Sequence, residues 1–122
     1  MEERIELSRD ALADLASQAA LEVSGVVECL QSPVEALASR IKREFIRHGV
    51  KVEEEGGGYR FAVHVSVRFG ESIPRIADEI RRRVKEYMEA TAGVRVTGVD
   101  VVVEGVDFPE KAGGGGGSAA SS

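Results

Sequence analysis

Two periods alternate along this chain. Leu12, Leu15, Ala16, Ala19 and Val23 recur at helical spacing, whereas Tyr59, Phe61, Val63, Val65, Val67 and Phe69 take every second position. Ser8 can cap the first helix, with Asp10 in its opening turn where the helix dipole favours an acid. Ser24-Gly25 ends it, and Leu21 lies on its opposite face. Ahead of it, Ile5 and Leu7 alternate with Arg4 and Glu6, which predicts a short strand. VVECL, from Val26, reads as a short extended piece. Ser32-Pro33-Val34-Glu35 then has the form of a capping box with proline at the first helical position. The stripe Val34, Leu37, Ala38, Ile41 and Phe45 predicts a core-facing second helix that Gly49 closes with a left-handed cap.

Past Gly49 the period falls to two. Val50 and Val52 start one strand, EEEGGG turns the chain, and the run from Tyr59 to Phe69 forms the return strand of a β-hairpin. Its aromatic and valine face should cover helices, leaving Arg60, Ala62, His64, Ser66 and Arg68 toward water or another chain. From Ile73 the helical period returns, with Ile76, Ala77, Ile80, Val84, Tyr87, Met88 and Thr91 on one side and Gly93 as the stop. The last strand changes parity between Val96 and Val99, so Thr97-Gly98 marks a bulge. The expected order is β-α-(β)-α-β-β-α-β. That is an α+β fold with a small mixed β-sheet and about three helices packed mainly on one face.

Length and composition fit this picture. Of 122 residues, 1–109 make one domain, and 110–122 read as a flexible Gly/Ser/Ala tail. No apolar run approaches the ~20 residues of a transmembrane helix. The start, MEERIELSRD, is too polar for a secretory signal. A single cysteine points to a reducing, intracellular compartment. Sixteen Lys and Arg against 21 Asp and Glu give a net charge of −5, which disfavours general nucleic-acid binding.

Candidate chemistry is sparse. Gly70-Glu71-Ser72-Ile73-Pro74 imitates a hydrolase nucleophile elbow, but proline replaces its final glycine and both histidines, His48 and His64, precede the serine. Ser72 is better read as a helix cap. Gly56-Gly57-Gly58 follows three glutamates that repel phosphate, so it is a hairpin turn rather than a phosphate cradle. Cys29 with two histidines has no zinc-site spacing, and no metal, cofactor or catalytic residue is expected. One electrostatic feature stands out: Arg40, Arg43 and Arg47 align on the polar side of the second helix, with Lys42 and Lys51 nearby. This stripe is the candidate partner-binding site, for an anionic lipid surface, an acidic partner or RNA.

Read as one block, GESIPRIADEIRRRVKEYMEATAGVRVTGVDVVVEGVDF resembles the signature of the alkaline shock protein family, the envelope stress response family of Gram-positive-type bacteria. The matching residues are Gly70, Ile73, Pro74, Ile76, Ala77, Ile80, Val84, Gly93, Val94, Val96, Val99, Val101, Val103, Gly105 and Val106. Ser72 stands where asparagine is frequent, and Arg75 replaces a frequent glutamate. Ala90-Thr91-Ala92-Gly93 replaces a compact turn. The resemblance implies a cytoplasmic, non-enzymatic scaffold of cell-envelope homeostasis. It would self-associate and be held near the inner face of the membrane by a membrane-anchored relative. The alternative is a small RNA-binding module using the basic stripe. It lacks the G-x-x-G loop and the aromatic-basic motif of base-stacking domains.

Overall fold

The structure, a computed structural model, describes residues 5–109. Three helices, α1 (Arg9–Leu21), α2 (Pro33–Lys42) and α3 (Ile73–Tyr87), accompany five strands: β1 (Val26–Cys29), β2 (Ile46–Arg47), β3 (Val50–Glu55), β4 (Gly58–Arg68) and β5 (Val96–Asp107). A π-helical turn, Met88–Ala92, prolongs α3 to the left-handed cap at Gly93. The expected α+β class with a mixed sheet is what forms. Residues 5–8, however, are not a strand: Ile5 is 89% exposed, and two alternating positions without a paired neighbour offer no ladder.

β4 is the axis of the sheet. Its first half pairs antiparallel with β3 and its end pairs antiparallel with β1, while β5 runs parallel along nearly its whole length. Phe61, Val63, Val65 and Val67 project from one face of β4 and are fully buried. Leu12, Ala16, Ala19 and Val23 from the α1 segment pack over them with Ile76, Ile80 and Val84 of α3 and Met88 from the π turn. The register of β5 shifts between Val96, which pairs with Tyr59, and Gly98, which pairs with Arg60. This is the bulge expected at Thr97-Gly98. Phe69, expected to continue the inner face, instead lies past the strand end, exposed, with its ring against Phe108.

Each helix begins on a serine. The hydroxyls of Ser8, Ser32 and Ser72 accept from the N–H groups of Ala11, Glu35 and Arg75. Ser72 is therefore a cap. Arg75, standing where a capping glutamate is frequent, instead bridges Glu71 and Glu79 at 3.1 Å each.

Gly49 does not close α2. The helix ends at Lys42, with Arg43 as its left-handed cap. His48 and Gly49, both at positive φ, form the two-residue turn between β2 and β3. A Cβ on Gly49 would lie 2.6 Å from the Leu30 backbone, so glycine lets the start of β3 abut the end of β1.

Val65→Asp buries an unpaired carboxylate between sheet and helices and should destabilise the fold by more than ~3 kcal/mol, read as a fall in the thermal midpoint. An unchanged melt would refute the assignment of the inner face.

Candidate functional site

The α2 sequence favours a helix: a serine cap, proline in the first turn, then alanine, leucine and isoleucine with one glycine-free stripe. Its orientation is the reverse of the expected one. Val34 is 77% exposed, Leu37 58% and Ile41 74%, and Leu30, just before the helix, is exposed as well. Its one buried residue is Ser39, roughly opposite that stripe at 100° per residue. The core-facing assignment for α2 is thus corrected, and Phe45, beyond the helix, alone of that stripe packs against the core.

Polar bonds explain the reversal. The Ser39 hydroxyl accepts from Gln31 Nε2 at 3.0 Å and donates to Glu44 Oε1 at 3.1 Å; Glu44 Oε2 meets Lys51 Nζ at 3.1 Å. Lys51 lies in β3, so this latch ties the polar side of α2 to the sheet. The hydrogen bond from Lys51 chiefly, with a smaller one from Ser39, holds the Glu44 carboxyl below its ordinary range against partial desolvation. The same bond to Glu44 raises the Lys51 ammonium.

The basic residues do not form the expected stripe. Arg40 lies on α2, Arg43 is its cap, and Arg47 lies in β2. The Arg47 guanidinium reaches back to α1, 2.8 Å from Asp14 and 4.0 Å from Asp10. Among the described residues, Arg40 and Arg43 have no ion pair.

A second exposed apolar area lies at the far end of the sheet. Among the described residues β5 pairs only with β4, so its outer edge carries backbone groups without a described strand partner. At its end Phe69 and Phe108 stack with centroids 4.6 Å apart, and Val102, Val106 and Ile73 are partly exposed.

A model of the alkaline shock protein 23 family, described as having a cell envelope-related function, matches residues 1–108. The chain belongs to this family. YloU of Bacillus subtilis (strain 168) is 27% identical over 105 residues, covering 84% of this chain and 88% of YloU. YqhY of the same strain is 25% identical over 109 residues, covering 89% and 81%. A solved MamM-CTD structure resembles the chain with a TM-score of 0.50 over 84% of it and all of that domain, at 14% identity, a likeness of fold alone.

Within this family member both histidines face carboxylates, His48 at Asp14 and His64 at Glu104. His64, expected on the open face of the sheet, is there but buried, its Nδ1 2.6 Å from Glu104 Oε2. The β5 register skips Glu104, pairing Val103 with Val65 and Gly105 with Ser66, which makes the room for this pair. No hydrogen bond joins Ser72 to either histidine, and no cluster able to hold a metal occurs among the described residues. Cys29 is half-buried, and burial pushes its thiol up against a smaller lowering by Ser17. The glycine turn carries a depression lined by Glu54, Glu55, Gly56, Gly57, Gly58 and Tyr59, whose carboxylates repel phosphate. Sequence reasoning missed the latch, and the only signal for it was Ser39 sitting opposite the apolar stripe.

Two outcomes follow from this geometry. Ile41→Ser should change stability by no more than ~0.5 kcal/mol in chemical denaturation, against the ~2–5 kcal/mol expected of a core isoleucine made small. The folded state holds the Glu44 carboxyl below its unfolded value, so the latch contributes above the ordinary carboxylate range and is lost as pH falls through the depressed value. Acid should therefore shift the NMR resonances of α2 ahead of those of β4, and Glu44→Gln should abolish that early transition.

Proposed function

We propose that this chain is a non-enzymatic scaffold or interaction module of the cell envelope, working at the inner face of the membrane through a membrane-anchored protein partner and by self-association. The observation that carries it is the outer edge of β5, twelve residues long and unpaired by any described strand, ending in the Phe69–Phe108 stack. An extended segment of a partner can add to such an edge by backbone hydrogen bonds while aromatic side chains supply the apolar anchor. The family's cell envelope-related description supports the setting.

Contact through basic residues belongs to this reading for Arg40 and Arg43, whereas Asp14 and Asp10 already engage Arg47. The alternative RNA-binding reading placed Arg40, Arg43 and Arg47 together on the second helix, whereas Arg47 lies in β2.

Pull-down after crosslinking in the cells of origin, scored for a membrane-anchored protein, tests the reading. Phe69→Asp combined with Phe108→Asp, at two exposed positions, should reduce capture about tenfold while the fold persists. A protein that stays monomeric and captures no membrane-anchored partner, or a double variant that captures as well as the parent, overturns it.

A further inference from the structure

The apolar ridge of α2 is left with no described element over it. Placed at 100° per residue, Leu37, Ile41, Val34 and Ala38 span an arc of roughly 100°. Arg40 borders that arc on one side and Lys42 on the other, and Arg43 caps the same end. Three cations thus stand against one carboxylate, Glu35, in a chain whose net charge is −5. The polar back of the helix is fixed to β3 by the bonds of Ser39 and Glu44, so the ridge is convex and held outward. A narrow apolar arc bordered by long cationic side chains is the arrangement of a helix lying in a lipid interface. There the apolar residues enter the acyl boundary, and the Arg and Lys stems reach up to headgroup phosphates.

We propose that α2 docks this protein directly on an anionic lipid surface, Val34, Leu37 and Ile41 entering the interface and Arg40, Lys42 and Arg43 meeting the headgroups. The acidic balance of the whole chain favours this occupant: a negatively charged surface repels most of the protein, and the cations of α3 are ion-paired with neighbouring acids, whereas Arg40, Lys42 and Arg43 have no ion pair among the described residues, so charge favours the face that lands. A convex ridge also suits a deformable surface, which needs no preformed groove. The site is separate from the β5 edge, so either surface can fail its test without the other.

Flotation with vesicles of phosphatidylglycerol, compared with vesicles of phosphatidylcholine, tests the proposal on the full chain. The parent protein should float with the anionic vesicles at low ionic strength, detach as salt rises, and ignore the zwitterionic ones. Ile41→Asp should abolish flotation with an unchanged thermal melt, and Arg40→Ala and Lys42→Ala should each weaken it about fivefold. No flotation of the parent, equal flotation of Ile41→Asp, or equal binding to both lipids overturns the proposal. So does a dimer in sedimentation velocity that Ile41→Asp dissociates in the absence of vesicle binding, since that result gives the ridge to a second copy.

Discussion

The parallel pairing of β4 with β5 is the constraint on which this structure depends. Parallel neighbours cannot be joined by a tight turn, and the chain must cross from the end of one strand to the start of the other. Here α3 and its π turn make that crossing, and Ile76, Ile80, Val84 and Met88 on the crossing segment are fully buried. The inner face of β4 is covered because the crossover must lie over the sheet. α1 completes the layer with alanines at Ala13, Ala16, Ala19 and Ala20, small enough for close approach of helix to sheet and to α3. Gly93, left-handed, then releases the chain into β5.

The same pairing places the polar groups. Two register shifts in β5 leave Thr97 and Glu104 without a counterpart on β4. Thr97 bonds to Glu55 at the hairpin, and Glu104 bonds to His64. Arg60 is shared between Glu55 and Asp100, on the strands at either side of β4. Glu55, His64, Asp100 and Glu104 are held in cross-strand pairs, while His48 faces Asp14 of α1 and Cys29 is half-buried beside Ser17. The two histidines thus face different acids on different elements, and no cluster able to hold a metal forms among the described residues.

How far the sequence revealed this depended on whether a pattern had one solution. β4 alternates strictly through Val67, and α3 has a serine cap, a proline in its first turn and a glycine stop, so both were legible along nearly their whole length. α2 has equally regular amphipathicity and misled. Periodicity says that one face differs from the other; it does not say which one the body takes. Ser39, Glu44 and Lys51 decide that through contacts spread over three elements, invisible to a pattern read along one helix. The basic stripe failed for a related reason. Arg43 adopts left-handed geometry without being glycine, and the His48-Gly49 turn carries Arg47 into a strand facing α1. The leading strand failed because alternation at Ile5 and Leu7 has no neighbouring strand to complete it.

An outward apolar ridge is costly to maintain in water, and a helix free to roll would turn it under. α2 is not free to roll. Turning Val34, Leu37 and Ile41 inward would pull Ser39 from Gln31 and Glu44 and leave Lys51 beside a vacated carboxylate position. Bonds of this kind contribute about 1 kcal/mol net where both partners are neutral and about 1.5–3 kcal/mol where one is charged, as at Glu44. The latch is seconded by the core: the inner face of the sheet is already covered by α1 and α3, so the ridge has no vacant apolar surface there to turn toward. The filled core expels the ridge and the latch aims it, so the exposure of α2 follows from the packing of β4.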